Sequence, residues 1–529
     1  MRGVLDRLDR ALGRLDPCDD PTVERLTVAP VAALVVALAV SLFTYLRLQY
    51  HPMQDFGHHL AMAAVVADRG RPGSIYTDLY TPIDALGTNS LLYLLAGTVG
   101  RWVGVGVAMR AAMVFYLAGV PLASLYALRK LRRSAWGALV AVPLVYSEVW
   151  ICGFANFVFA APFFLLTLIA FYLLLDRPTV GRWIATSVGF VLVFLAHVHV
   201  YLWLGVIACA WTFVAAFQER RLRRFAAVGI VALTSVTPSL LLLRRWLKRA
   251  LDVMPRPAEW TFSNPSPKPV AFRYVEDALR DMSGYLKVLG NSELDLEVLL
   301  GLTALAFVCA RLTGPRLDRP LLLELAFFLT VGSFFVLPEH TEQQAVIGSR
   351  QLSVAMWLAP VFFEPPPRAF RRPILLGLLT LVGVHFFAWN RALGQYAGEI
   401  AGLRRVLAAA PPRQRMHFVN AIRADSNYFR THVFWHVDKW YMAEKFGQCV
   451  DNPAVGGMNP VRYRTDPHKV GVNHGYWVED EAIWANFDLV LVHGWRPTPI
   501  QVTLAYRRGE LLLRSGDWEL WSTKARAAP

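Results

Sequence analysis

The chain has 529 residues, of which 55% are hydrophobic and only 18% charged, with a mean hydropathy of +0.37. That balance is too apolar for a water-soluble protein of this size and makes the bilayer its main solvent. The 54 basic residues exceed the 39 acidic ones to give +15, but they fall in short clusters between apolar runs, a pattern that sets membrane orientation and argues against a nucleic-acid partner.

Residues 1–27 carry balanced charge, and no small-residue cleavage site follows the first apolar run, Val28–Leu46. We therefore expect a cytoplasmic N-terminal segment leading into a retained anchor, not a cleaved signal. This run and others such as 154–175 and 374–389 approach the roughly 20 residues that cross about 30 Å of hydrocarbon as a helix. The cysteines Cys18, Cys152, Cys209, Cys309 and Cys449 form no CxxC pair, which excludes a disulfide framework or a thiolate zinc site.

Basic clusters stand at 129–133, 177–182, 220–224, 311–319 and 368–372. Neighbouring clusters are separated by two apolar runs, so all five belong on one side, which the positive-inside rule makes cytoplasmic. The opposite, external side then receives the loop 49–90, the turns at 148–156 and 197–199, the segments 244–297 and 337–350, and everything after Asn390. Residues 91–129 are long enough for two spans. Laying Leu91–Val103 along the interface, a depth that suits Arg101 and Trp102, gives about 11 spans with the N-terminus inside. Arg244, Arg245, Lys248 and Arg249 form a basic cluster on the external side, placed to meet an anionic lipid phosphate. The Pro-rich stretch 255–269 reads as a long external loop.

After Asn390 the pattern changes. Stretches 416–422 and 487–493 read as strands, and 510–514 and 518–522 as a hairpin around Ser515-Gly516-Asp517. The expected fold class is thus a polytopic α-helical membrane domain over 28–390, with a small soluble α/β domain over 391–529 on the external side, the whole set in a bacterial-type inner membrane.

The loop 49–90 holds the densest chemistry. After Asp55 the sequence Phe56-Gly57-His58-His59-Leu60-Ala61-Met62-Ala63 reads as a short amphipathic helix, and spacings of three and four put Asp55, His58 and His59 on one face. A carboxylate and two imidazoles there could take a proton from a substrate hydroxyl or hold a divalent cation such as Mg or Mn, with Asp55 and His59 as candidate ligands. A helix N-cap at Asp55 and ordinary interfacial histidines account for the same residues. His197 and His199 lie at an external helix end; Glu339, His340 and Glu342 crowd the loop leading to Arg350; Glu148 and Asn156 flank another external turn. His432 and His436, with Asp438 nearby, have i, i+4 spacing but lack the glutamate of HExxH, and a packed aromatic helix is the expectation for them. No GxxxxGK loop is present.

An Asp followed by His and an apolar helical run, directly after the first span, resembles the first external loop of the GT-C superfamily of polytopic glycosyltransferases that use polyprenyl-phosphate-linked sugars. The layout is similar as well: two interfacial helices before the second span, matching Phe56–Asp68 and Leu91–Val103, and an external C-terminal domain. The resemblance implies that Asp55 is the catalytic base or metal contact, although many members carry a second adjacent acid where this chain has Phe56. It also implies a lipid-linked sugar donor in the bilayer and an acceptor that is a glycan, lipid or protein. His58, His59, Glu339 and His340 are then candidate substrate contacts. Arg350, at the external start of the apolar run 351–363, is the candidate for the donor phosphate because a guanidinium forks onto phosphate oxygens. An interfacial anchor explains Arg350 equally. Two other classes remain open: a transporter or flippase of a lipid-linked intermediate, and a non-catalytic assembly protein.

Overall fold

The first apolar run forms the helix Val28–Leu46, and a short connection brings the chain to Asp55 and the helix Phe56–Asp68. The computed structural model describes residues 28–131, 133, 135–218, 222–253, 286–290, 292–313, 322–337, 347–363, 370–420, 426–449, 460–464, 486–494 and 509–524. Among these, five helices are long and apolar enough to cross a membrane: Val105–Lys130, Ala155–Asp176, Val198–Phe217, Ala226–Arg249 and Arg372–Ala409. Four shorter apolar helices accompany them, Pro30–Leu46, Leu91–Val103, Val180–Ala196 and Leu323–Val336. The protein is a multi-pass membrane protein. Residues 255–269, Glu339, His340 and Glu342 lie outside the described residues.

The stretch 91–129 contains one long helix, not two. Leu91–Val103 ends at Gly104, and Val105–Lys130 starts anew. Thirteen residues of helix reach only about 20 Å, short of the hydrocarbon thickness. The shorter helix packs on Phe56–Asp68, where Arg101 donates to the Val66 carbonyl at 3.0 Å and its own carbonyl accepts from Arg71 at 3.1 Å.

Contacts separate the two ends of the bundle. At one end Arg133 pairs with Glu324 at 3.2 Å and donates to the Val361 carbonyl, while Arg182 donates to the carbonyls of Leu173 and Arg177. Arg133 thereby leaves solvent and holds three helices together. At the other end Arg249 and Arg245 pair with Asp84 at 2.8 and 3.5 Å. The basic cluster of 244–249 thus sits beside the loop 49–90, at the same end of the bundle.

The last long helix, Arg371–Ala409, runs without interruption through 390, where the soluble part was expected to begin. A five-stranded sheet follows, ordered β2-β1-β3-β5-β4 from Gln448–Cys449, Arg415–Asn420, Leu489–His493, Trp518–Ser522 and Glu510–Ser515. β2, β1 and β3 run parallel; β5 is antiparallel to β3 and forms the predicted hairpin with β4. Every residue of β3 is buried, as its unbroken apolar run requires of a central strand. Trp518 of β5 donates from Nε1 to the Glu399 carbonyl at 3.0 Å, fixing the sheet to the long helix.

The helix Phe56–Asp68 is not the half-exposed interfacial helix its pattern suggests. Ten of its residues are buried, because the Leu91–Val103 helix covers one side and the short helix Lys439–Lys445 of the C-terminal region the other. Small side chains at Ala61, Ala63, Ala64 and Ala67 allow this double packing. Loop and C-terminal region are also joined by polar contacts: Tyr50 to Glu444 at 3.0 Å, Tyr76 to the Gly447 carbonyl at 2.6 Å, Tyr80 to Gln448 at 2.9 Å, and backbone bonds between 79–84 and 460–464. Buried Asp68 pairs with Arg413 at 3.4 Å.

Candidate functional site

Asp55 precedes the first turn of its helix, but its side chain makes no capping hydrogen bond. Capping therefore does not explain the residue. Its backbone N–H donates to the Cys152 carbonyl at 2.9 Å, and the neighbouring Gln54 N–H to the Ile151 carbonyl at 3.0 Å. Gly153 makes this approach feasible: it sits at φ +77, and a Cβ there would fall 2.7 Å from the Asp55 nitrogen. The carboxylate is thus anchored by the turn at 148–156.

His58 lies three residues, just under one helical turn, beyond Asp55, and His436 comes from the C-terminal region. Asp55, His58 and His436 form a group whose ligand atoms all lie within 4.8 Å of one another. His436 Nε2 is 3.6 Å from Asp55 Oδ1, and the rings of His58 and His436 lie with centroids 3.4 Å apart. The expected helix over His432 and His436 is absent. Both residues lie ahead of Lys439–Lys445, in a stretch of turns that bends the His436 ring back onto the loop. His432 stacks on Trp435 at 4.5 Å, so the i, i+4 pair is split. Burial holds His436 well below the usual imidazole range, helped by the neighbouring His58 and Lys439.

His59 is outside the Asp55 group and enters a different one. Its Nδ1 is 2.8 Å from the Tyr93 hydroxyl, which also receives a hydrogen bond from Asn156 Nδ2 at 3.0 Å. With Asn156 donating into that oxygen, the phenolic proton is directed at Nδ1, leaving the His59 proton on Nε2. Burial, then His58, then Arg350 lower the pKa of His59 to about 3, so it is a neutral imidazole at physiological pH.

Arg350 emerges from the helix Ile347–Leu358, with its guanidinium 4.5 Å from the centre of the Phe154 ring and 5.8 Å from that of Phe157. Phe154 directly follows Gly153, the residue against which Asp55 rests, and Arg350 acts electrostatically on His59, His197 and His199. The next residue, Gln351, bonds through Nε2 to His199 Nε2 at 3.0 Å. Asp55 and Arg350, far apart in sequence, are therefore linked through His58 and His59 on one side and the 153–154 backbone on the other. Residues 197 and 199 both face this region because the helix breaks at His197 between Val180–Ala196 and Val198–Gln218.

Sequence reasoning set His436 aside and did not single out Tyr93 or Gln351. Tyr93 offered one signal, a phenol in an otherwise apolar helix, since a buried hydroxyl requires a partner.

No protein-family model matches the chain, and no curated protein matches it in sequence. The structure is similar to the crystal structure of ArnT from Cupriavidus metallidurans bound to undecaprenyl phosphate, with a TM-score of 0.55 and 12% identity over 95% of this chain and 99% of that one. At that identity the likeness is one of fold alone: the chain has the fold of that protein.

Proposed function

We propose that this protein is a membrane glycosyltransferase that moves a sugar from a polyprenyl-phosphate donor to an acceptor hydroxyl. The observation that carries the reading is the Asp55 carboxylate, relieved of capping and grouped with the His58 and His436 imidazoles, in a fold shared with a protein solved bound to undecaprenyl phosphate. In the reaction, Asp55 takes the hydroxyl proton of the acceptor, whose oxygen forms a bond to the anomeric carbon. The bond from that carbon to the phosphate oxygen breaks, its electron pair leaves with the phosphate, and polyprenyl phosphate departs. Arg350 neutralises the charge that grows on the phosphate. His58 and His59 line the path between the two residues, and Glu339 and His340 are candidate acceptor contacts.

The proposal includes the topology drawn from the charge pattern: about 11 spans in an inner membrane, residues 1–27 cytoplasmic, a membrane domain over 28–390, and the domain 391–529 external with the loop 49–90. Acceptor glycan, lipid or protein would then meet the donor on the external face. The test uses full-length protein in vesicles, a panel of polyprenyl-phosphate-linked pentoses and hexoses, and release of polyprenyl phosphate as the readout. Asp55→Asn should lower release about 10³-fold, within the range of a lost general base, while the protein stays monodisperse. Full activity in that variant would remove Asp55 from the mechanism, and a wild-type chain inert toward the whole panel would count against the transferase reading.

A further inference from the structure

The group at Asp55 is drawn from two parts of the chain. Asp55 and His58 belong to the first loop, and His436 arrives from the C-terminal region more than 370 positions later. A backbone contact sets its position: Gly57 lies so close to His436 that a Cβ there would fall 1.9 Å from the His436 carbonyl oxygen. The spacing is suited to ligation. Two atoms bound to one ion at about 2.1 Å stand about 3.4 Å apart in tetrahedral geometry. His436 Nε2 and Asp55 Oδ1 are 3.6 Å apart, and the third ligand atom lies within 4.8 Å of both.

The donor set defines what such a site would take. Two imidazole nitrogens and one carboxylate oxygen suit zinc and its neighbours, whereas magnesium prefers oxygen ligands and retained water. The His58 and His436 rings are tilted by 31° with centroids 3.4 Å apart, so both imidazoles stand at the same centre. Lys439, whose charge acts on His436, is paired with Asp438 at 2.7 Å.

We propose that Asp55, His58 and His436 bind one divalent transition-metal ion of the imidazole-preferring class, zinc foremost, and that the C-terminal region completes the site by supplying His436. This rests on the same site as the transferase reading and deepens it. Three protein ligands leave a fourth position in which a bound hydroxyl becomes more acidic. A carboxylate has two oxygens, so Asp55 can ligate through one and take the acceptor's proton on the other.

The experiment uses the full-length protein in detergent, stripped with a chelator and titrated with zinc, manganese or magnesium chloride, with bound metal measured by mass spectrometry and calorimetry. We expect one equivalent of zinc per chain and binding of magnesium at least tenfold weaker. His58→Ala and His436→Ala should each weaken zinc binding at least tenfold, while His432→Ala, outside the group, should retain it. Absence of stoichiometric zinc uptake by the wild type overturns the proposal without recourse to any variant. So would tighter binding of magnesium, or unchanged zinc affinity in both histidine variants. Metal binding and sugar transfer are separate readouts. Zinc uptake by a chain that transfers no sugar upholds the metal site and rejects the transferase reading, and transfer by a chain that takes up no zinc does the reverse.

Discussion

The acidic and basic ends of the site are built differently. The Asp55 end is assembled from two regions distant in sequence, the first loop and the C-terminal region, whose backbones touch at Gly57 and His436. The Arg350 end belongs to the helical bundle, where the guanidinium lies over the rings of Phe154 and Phe157 and beside the helix break at His197. Chemistry at the first depends on docking, whereas at the second it depends on packing within the bundle. Substitutions can therefore disturb either end alone.

After Asp55→Asn, the largest effect is expected at the other pole. Arg350→Ala removes a charged donor, and a hydrogen bond to a charged group contributes about 1.5–3 kcal/mol, so release of polyprenyl phosphate should fall by roughly 10–150-fold. Arg350→Lys should recover only part of this, since a lysine cannot fork onto the phosphate. Equal activity of all three proteins in the vesicle assay would take Arg350 out of donor binding. Gly57→Ala probes docking: its Cβ would meet the His436 carbonyl, so the C-terminal segment must shift. We expect about a tenfold loss of activity and easier proteolysis between 426 and 449, with the bundle unchanged. If proteolysis and activity both match the wild type, the two regions are less tightly joined than described.

A smaller effect is expected at Tyr93→Phe, which removes the hydroxyl joining His59 to Asn156. The net value of such a bond is about 1 kcal/mol, or roughly fivefold in activity. A change of a hundredfold would instead give Tyr93 a direct part in the reaction. The smallest effect concerns stability. His493, stacked on Trp518 at 4.0 Å, has its pKa lowered by burial to about 4. Below about pH 6.5 the unfolded chain binds a proton that the folded one does not, so this contribution is intact at pH 7 and is lost as pH falls from 6.5 toward 4. His493→Phe should flatten that part of the dependence of Tm on pH. An unchanged slope would show that His493 titrates normally.

Much of the frame was legible because membrane helices announce themselves by length and apolarity, and charge clusters by sign. Leu91–Val103 was recognisable from Arg101 and Trp102 near its end, and the hairpin from Ser515-Gly516-Asp517. What the sequence could not convey was proximity between distant segments. His436 looked like one member of an aromatic helix because i, i+4 spacing carries meaning only on a helix, and the chain there is a run of turns. Phe56–Asp68 looked half-exposed because its pattern records the chemistry of its own side chains and not the helix Lys439–Lys445 that covers them. Arg133 looked like a solvated cytoplasmic charge because Glu324 lies 191 positions away.

The helix Arg371–Ala409 has a mechanical consequence. At 1.5 Å per residue its 39 residues form a rod about 58 Å long, of which about 28 Å extends beyond Asn390. The sheet is fastened to that rod through Trp518. A tilt of the last span by about 5° would swing the far end by about 2 Å, close to the length of a metal–nitrogen bond. The tilt of such a span, set by packing against neighbouring helices, is therefore felt at the sheet.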